Sequence, residues 1–344
     1  MRAAILENGR IDVGEFPDPT PIKGQVLVRT HRCALCASDA HFLVSGPTIV
    51  ERSQKNDGPY AGVDLSKPIV MGHEYVGEIL DYGPGSRRPL PIGTLVTSIP
   101  GIRTSSGFGI VGYYHECPGG YGEYMLLDED MLLEIPADAD LDLAALIEPL
   151  AVGIEHARAG DVCEGEIPLV IGCGAIGLGV IAGLRLQGIA PIVASDLDAG
   201  RRELALAMGA DVVVDPRETS PYQPHVDLGG RAPNVVYECV GKAGLMNAIM
   251  DEIIPLGRIV MGGFCLEPEE VYVPTAQTKR LRVHFAGGET PQDMIAARDA
   301  ILGGKVDLRP WLGEGIGLSE VGDALSRMSD PAEPVRRVVD PSRE

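Results

Sequence analysis

The sequence predicts an α/β protein of two domains, one rich in β-strands and one built on a doubly wound parallel sheet. Three observations support this fold class. The chain has 344 residues, which is long for one domain. Short strand-like runs bounded by Gly and Pro turn signals dominate residues 1 to about 150. From about 168 to 286, strand-like and helix-like segments alternate, which is typical of βαβ units.

The β-rich region contains strand-like runs separated by two loop-like stretches. The runs are residues 26–30, 75–80, 93–97 and 119–127. Residues 45–67 are polar, contain Gly and Pro, and have weak periodicity, so they are expected to form a loop insertion near the site described below. Two interpretations of this loop stay open, a plain surface loop and a lid over a substrate. Residues 99–118 are also predicted to be loop-like.

The alternating region follows a regular strand and helix order. Strands are expected at 168–171, 189–194, 211–214, 234–239 and 258–262, and helices at 178–187, 201–209 and 243–254. The tail returns to short mixed elements, with a helix at 291–302 that has Pro in its first turn. We expect residues 1–150 and 287–344 to form one domain and residues 151–286 to form the second.

A glycine motif between the first strand and helix of the alternating region indicates a dinucleotide site. It reads Gly172-Cys173-Gly174-Ala175-Ile176-Gly177. The first glycine permits a tight turn, the second lets the backbone approach a pyrophosphate, and the third lets the helix pack on the strand. The helix N-terminus offers N–H groups to the phosphates. Asp196 ends the next strand, where a carboxylate can bond the adenosine ribose hydroxyls.

Three separate segments offer side chains that zinc prefers. They are Cys36-Ala37-Ser38-Asp39-Ala40-His41, Gly72-His73-Glu74 and Glu148-Pro149. An open zinc site takes three ligands from Cys, His and carboxylate and leaves one position for water or substrate. Ser38 and His41 lie beside the thiol, where they could carry a proton away. Each residue alone has a plainer interpretation, since a lone buried Cys or His is more often part of the core.

Composition excludes several classes of partner. The formal net charge of −20 argues against nucleic acid and against an anionic membrane surface. The N-terminus has no apolar signal core, and the longest uncharged apolar stretch contains the glycine motif, so a membrane span is not expected. Seven scattered cysteines do not form a disulfide framework and favour a reducing cytoplasm.

Together these motifs resemble those of the zinc-dependent medium-chain dehydrogenases, the alcohol, sorbitol and threonine dehydrogenase group. The matching segments, in the family's order, are 36–41, 72–74, 119–124, 148–152, 172–177 and 257–260. The resemblance implies a GroES-like catalytic domain and a Rossmann domain that binds NAD. It also implies hydride transfer from a secondary alcohol, polyol or sugar-like substrate, and a homodimer or homotetramer.

The resemblance also implies roles for single residues. Cys36 and His73 correspond to zinc ligands, while Glu148 and Glu74 are both candidates for the carboxylate ligand. Asp39 corresponds to the acid that orients the histidine. Ser38 would take the proton of the alcohol, and His41 would pass it towards solvent. Asp196 favours NAD, since a 2′-phosphate would face its charge and no arginine occupies that position. Arg201 is expected either to contact the ribose or adenine or to be an ordinary exposed residue.

One departure from the family concerns a second, structural zinc. The stretch that holds four cysteines in many members contains only Cys117 here, so one zinc per chain is expected. A replacement site formed by Cys117 with His115 and Glu116 is the less favoured alternative, because a closed site needs four ligands. Two rival functions stay open at this point. They are a zinc-independent NADPH quinone or enoyl reductase and a non-catalytic dinucleotide-binding protein.

Overall fold

The computed structural model describes residues 1–105, 107–224 and 228–343, and it divides into two compact units. Unit 1 is Met1–Glu148 with Arg298–Glu344, and unit 2 is Pro149–Ala297. The domain limits expected at residues 150 and 286 remain a prediction; Glu344 and residues 225–227 of the expected domains lie outside the described residues. Within the described ranges, no helix is both long and apolar enough to cross a membrane.

The described residues form strands in both units, and helices connect many of them. The strands are β1 (Arg2–Glu7), β2 (Arg10–Glu15), β3 (Gln25–Ala34), β4 (Glu74–Tyr82), β5 (Leu95–Ser98), β6 (Gly101–Thr104), β7 (Gly107–Ile110), β8 (Tyr124–Asp128), β9 (Leu132–Ile135), β10 (Pro168–Ile171), β11 (Val193–Ser195), β12 (Val212–Val214), β13 (Val235–Glu238), β14 (Arg258–Met261), β15 (Arg282–Phe285) and β16 (Val338–Val339). The helices are α1 (Ala37–Lys55), α2 (Leu141–Ala144), α3 (Ile147–Ala159), α4 (Ala175–Leu186), α5 (Ala199–Met208), α6 (Leu245–Glu252), α7 (Val273–Lys279), α8 (Pro291–Leu302) and α9 (Val321–Arg327), with short 3₁₀ turns at Arg309–Trp311 and Leu318–Glu320.

The main sheet of unit 1 is antiparallel and is centred on β3 and β4. Its order is β16-β3-β4-β5-β9, and β8 also pairs with β3. β3 has ten residues, and its side chains alternate between buried and less buried positions along much of its length. That period of two places Val26 and Val28 in the core, where neither is exposed to solvent. The predicted β-rich domain is therefore confirmed.

The prediction of a loop at residues 45–67 is wrong for its first part, where α1 continues to Lys55. Ser45 breaks the helical backbone with φ −126° and ψ 17°, so Pro47 lies near the start of a second helical segment, where proline is tolerated. Ile49 and Val50 bury one face of that segment. The predicted loop at 99–118 likewise contains the β6–β7 hairpin.

Unit 2 is built on a parallel sheet in the order β12-β11-β10-β13-β14-β15. The chain starts in the middle at β10, moves outward to β12, and then crosses to β13 on the other side of β10. This reversal of strand order is the feature that places ligands at the carboxyl ends of the central strands. Leu169, Val193 and Val236 fill the core without exposure to solvent. The predicted doubly wound sheet is confirmed.

Candidate active site

The end of β3 and the start of β4 bring together three of the four residues that the sequence predicts as metal ligands. The two strands are antiparallel neighbours, and Ala34 pairs with Glu74. Cys36 lies two residues beyond β3, immediately before the first turn of α1. His73 immediately precedes β4. Residues that are far apart in the sequence therefore meet because the register of one strand pair places them at the same end of the sheet.

The ligand atoms of Cys36, His73 and Glu74 all lie within 4.8 Å of one another. Ser38 Oγ donates to Cys36 Sγ at 3.1 Å and lies 3.2 Å from His73 Nε2. The Nε2 edge of the imidazole therefore faces the thiol, with the serine hydroxyl beside both. A thiolate, an imidazole nitrogen and a carboxylate form a donor set that zinc prefers.

Asp39 lies on the other side of the His73 ring, with Oδ1 3.4 Å from Nδ1. Tyr113 donates its hydroxyl to Oδ1 at 2.6 Å, and Tyr121 donates to Oδ2 at 2.7 Å. Burial alone would raise the pKa of Asp39, but His73 and the two tyrosine hydroxyls hold that pKa below its ordinary value. An ionised Asp39 favours a proton on Nδ1, which leaves Nε2 free to act as a ligand.

The surroundings of His73 favour a positive charge. Burial alone would lower the pKa of His73, yet Asp39 and Cys36 raise it well above its ordinary value. Burial is the main cause that raises the pKa of the Cys36 thiol, and the charge of Glu74 adds to it. A divalent cation among these groups would supply the positive charge and would hold the thiol as thiolate. The residues present therefore fit a catalytic zinc ion.

Arg336 is a member of this site that sequence reasoning missed. Its guanidinium donates from Nε to Glu74 Oε2 and from Nη2 to Glu74 Oε1, both at 2.8 Å. The arginine is 4% exposed and the glutamate 0% exposed. The only signal in the sequence is a pair of arginines, Arg336 and Arg337, between the apolar residues Val335 and Val338. Both carboxylate oxygens of Glu74 are thus already bonded to Arg336.

The structure places Glu148 in the first turn of α3, where it is 7% exposed. Its charge acts on Tyr75, which contacts the site from β4, and on Arg336. His41 lies one turn after Ser38 on α1 and is half-buried, and burial lowers its pKa. The charge of Glu148 thus reaches the site, but its carboxylate is not in the group of ligand atoms that lie within 4.8 Å of one another, and His41 is placed only by its position on α1.

The glycine motif of unit 2 forms the turn between β10 and α4. Gly172 has φ +88°, in the left-handed region that favours glycine. A Cβ on Gly177 would lie 1.8 Å from the carbonyl oxygen of Gly172, so helix and turn can pack only if position 177 has no side chain. A Cβ on Gly174 would meet no atom within 4 Å. The turn therefore leaves space at Gly174 for a pyrophosphate, and Ala175 and Ile176 begin the helix above it.

Asp196 follows β11, and its carboxylate lies next to the glycine turn. Oδ2 accepts the N–H of Cys173 at 2.7 Å, and Oδ1 accepts the N–H of Asp198 at 2.8 Å. Arg201 lies in the first turn of α5, and its backbone N–H is bonded to Asp198. The carboxylate is thus held at the carboxyl end of the sheet, where a dinucleotide ribose binds in this type of fold.

Comparison with known proteins agrees with both parts of this arrangement. The model of the alcohol dehydrogenase GroES-like domain matches residues 22–137, and that of the zinc-binding dehydrogenase domain matches residues 175–302. The chain belongs to the zinc-dependent medium-chain dehydrogenases. The (R,R)-butanediol dehydrogenase of Bacillus subtilis (strain 168) is 29% identical over 271 residues, covering 76% of this chain and 77% of that protein.

Two further relatives of this dehydrogenase are informative. The sorbitol dehydrogenase of Gallus gallus is 29% identical over 302 residues, covering 83% of this chain and 81% of the relative. A solved structure described as a zinc-binding dehydrogenase from Sinorhizobium meliloti 1021 bound to NADP has a TM-score of 0.82 and 25% identity, and covers 99% of both chains. The predicted GroES-like and Rossmann folds of this dehydrogenase are therefore confirmed, as is its predicted family.

Proposed function

We propose that this dehydrogenase oxidises a secondary alcohol or polyol reversibly, transferring a hydride to NAD with the help of one zinc ion. The observation that carries the proposal is the convergence of Cys36, His73 and Glu74 within 4.8 Å beside Ser38. Relatives named for butanediol and sorbitol support a substrate with several hydroxyl groups. The products are the ketone or aldehyde and the reduced cofactor.

Zinc, when bound, supplies a Lewis acid that lowers the pKa of a substrate hydroxyl. Cys36 and His73 would hold it, and Asp39 fixes the histidine ring in the tautomer that this requires. We assign the third ligand to Glu148, because the carboxylate of Glu74 already receives two hydrogen bonds from Arg336. Glu148 is not in the group of ligand atoms that lie within 4.8 Å of one another, so this assignment requires its carboxylate to approach when the metal binds.

Two side chains of α1 are suited to move the proton of the substrate. Ser38 Oγ lies beside both ligand atoms, at 3.1 Å from Cys36 Sγ and 3.2 Å from His73 Nε2, so it can accept a proton released at the metal position. His41 follows one turn later and is half-buried. Burial keeps its pKa below the ordinary value, so its neutral form is available to take that proton towards solvent.

The preference for NAD over NADP rests on Asp196 and on the pairing of nearby arginines. A 2′-phosphate would meet the negative charge of Asp196. Arg202 and Arg217, the cations next to this loop, both pair with Asp215. The single negative charge of Asp215 offsets part of their positive charge, which reduces what they could offer to a phosphate.

A single zinc ion and a reducing cytoplasm are the remaining chemical parts of the proposal. Gln25 donates from Nε2 to the sulfur of Cys117 at 3.6 Å, and burial raises the pKa of that thiol to about 12. These surroundings favour a packed thiol over a metal ligand. All seven cysteines have free thiols, as expected in a reducing compartment.

We also propose a homo-oligomer that uses the edge strand β15. β15 lies at one edge of the parallel sheet, and its four residues are exposed, with Phe285 at 71% and Val283 at 37%. An exposed edge strand with apolar side chains is a surface for pairing with another chain, and a second copy offers the same strand. Light scattering that finds a monomer at micromolar concentration would contradict this part of the proposal.

The central proposal is tested by the metal content and activity of the Cys36→Ser variant. We expect the purified wild type to contain about one zinc ion per chain and to reduce NAD with secondary alcohols or polyols. Cys36→Ser should lose most of the zinc and the activity, whereas Cys163→Ser, which changes an exposed thiol, should keep both. Full activity without zinc would favour the metal-free reductase. Cofactor binding without turnover of any alcohol would favour the non-catalytic alternative.

A further inference from the structure

Four rings pack together beside the predicted metal ligands, and we refer to Phe42, Tyr60, Tyr113 and His73 as the aromatic wall. Tyr113 is its centre, with ring centroids 4.8 Å from Phe42, 5.0 Å from Tyr60 and 5.8 Å from His73. The Phe42 and Tyr60 rings are 5.8 Å apart. The wall therefore extends from a ligand of the metal to a residue of the segment that follows α1.

Tyr60 differs from the other members of the wall because it keeps part of its surface accessible. Phe42 is 2% exposed, Tyr113 is 1% exposed and His73 is 7% exposed, while Tyr60 is half-buried. The Tyr113 hydroxyl is already donated to Asp39. Tyr60 is therefore the member of the wall with the most surface left for a bound molecule to touch.

The phenol of Tyr60 lies close enough to the metal ligands for charges to act on it. Burial raises the pKa of Tyr60 to about 12, with smaller contributions from His73, Asp39 and Cys36. The phenol is thus protonated at any working pH of the enzyme, and it offers an O–H donor as well as an acceptor. The Tyr113 side chain also forms a hydrogen bond with this phenol, so one of the two hydrogen-bonding roles of Tyr60 is taken within the wall and the other is left for a ligand.

The backbone around Tyr60 is fixed by hydrogen bonds within the segment. Ser53, on the second part of α1, is 8% exposed and accepts the N–H of Tyr60 on Oγ at 2.9 Å. Tyr114 donates its hydroxyl to the carbonyl oxygen of Pro59 at 2.8 Å. These two anchors set the position of the tyrosine from both sides, so a contact made by its side chain can be selective.

We propose that Tyr60 is a specificity-determining residue that hydrogen-bonds a second hydroxyl, on the carbon next to the one that is oxidised. This inference rests on the proposed function and names its substrate class as small vicinal diols. The rings of the wall cover the carbon chain, and the phenol hydroxyl recognises the neighbouring hydroxyl. A secondary alcohol with one hydroxyl makes the same contacts except for this hydrogen bond.

The test compares the Tyr60→Phe variant with the wild type on 2,3-butanediol and on 2-butanol, using zinc-loaded full-length protein. We expect kcat/KM for the diol to fall about fivefold to tenfold and that for 2-butanol to stay within about twofold, as for one lost hydrogen bond. Tyr272→Phe removes the hydroxyl of an exposed tyrosine of unit 2 and should change neither value. Unchanged midpoints of thermal unfolding would show that both variants fold.

A second measurement needs no turnover. With NADH present, the diol should raise the midpoint of thermal unfolding of the wild type more than 2-butanol does, and Tyr60→Phe should abolish that difference. Equal losses on both alcohols, or an unchanged ratio with full activity, would overturn the role of Tyr60 and leave the proposed function intact. A wild type that turns over other polyols but not the diol would overturn this inference alone, and one without zinc-dependent activity on any secondary alcohol or polyol would overturn the proposed function as well.

Discussion

Replacing Arg336 with methionine should destabilise unit 1 strongly in the metal-free protein. The substitution keeps an apolar stem of similar length and removes both hydrogen bonds to Glu74. The carboxylate left behind is 0% exposed, so water cannot take over the role of the guanidinium without a change of structure. Arg336→Met therefore converts a buried pair into a buried charge without its partner.

The size of the effect follows from the contacts. Each hydrogen bond to a charged group contributes about 1.5 to 3 kcal/mol, and the guanidinium makes two of them to Glu74 at 2.8 Å. Removing one partner of a buried ion pair typically costs about 3 to 5 kcal/mol. We expect a decrease of that size in the free energy of unfolding.

A matched control separates burial from geometry. Arg309 also bonds both oxygens of a carboxylate, that of Asp307, at 2.8 Å, but these side chains are 72% and 52% exposed. Arg309→Met should lower the stability much less than Arg336→Met does, because solvent screens an exposed ion pair. The contrast therefore tests whether the buried position of Arg336, and not the bidentate contact itself, produces the effect.

Urea unfolding of the chelator-treated protein, followed by tryptophan fluorescence, measures this. Trp311 is the only tryptophan, is 0% exposed, and accepts the backbone N–H of Arg336 on its carbonyl oxygen. Adding Glu74→Gln to Arg336→Met should recover much of the loss, because the uncompensated charge is gone. A loss for Arg336→Met no larger than that for Arg309→Met would refute the reasoning.

The other predictions concern the cofactor site. Asp196→Ala should weaken NADH binding about tenfold, which corresponds to one lost hydrogen bond to a charged group, and should leave NADPH binding unchanged or stronger. Fluorescence titration with both cofactors measures the two affinities. Equal weakening of NADH and NADPH binding would contradict this prediction. Gly177→Ala should disrupt the turn, because its Cβ would lie 1.8 Å from the Gly172 carbonyl oxygen, and the midpoint of thermal unfolding should drop. Gly174→Val should keep that midpoint, since its Cβ meets open space, but should weaken cofactor binding; an equal loss of stability in both variants would be inconsistent with the proposed pyrophosphate position.

Local sequence patterns were sufficient to predict the parallel sheet and the glycine turn. The helix expected at 291–302 has the same bounds in the structure, as α8 (Pro291–Leu302). The segment 45–67 was predicted less well, because Gly46 and Pro47 indicate the end of a helix in any prediction from local sequence. The structure accommodates that proline by breaking the helix at Ser45 and restarting it. Burial of Ile49 and Val50 then stabilises a helix that the local pattern disfavours.

The sequence could identify residues of the candidate site only where the chemistry of the site requires a particular residue type. Cys36, His73 and the glutamates could be selected because few other roles require them in such motifs. Arg336 could not be selected, because it contacts Glu74 across 262 positions of sequence and nothing near it suggests a partner. The tyrosines that donate to Asp39 are similar, since a buried tyrosine in a β-rich domain is ordinary. Only the tertiary structure shows which buried polar groups meet.

The pair formed by Arg336 and Glu74 also bears on the balance of charge around the metal position. Buried charges are stable when they are paired or bound to a metal. If Glu74 is neutralised by Arg336, a divalent zinc ion is balanced by two further anions, and a Cys36 thiolate with a Glu148 carboxylate supplies them. If Glu74 were the ligand, the total charge would be the same, because Glu148 also acts on Arg336, but Arg336 would have to give up hydrogen bonds to Glu74. The two hydrogen bonds between Arg336 and Glu74, and not the total charge, are therefore the reason for proposing Glu148 as the resting ligand.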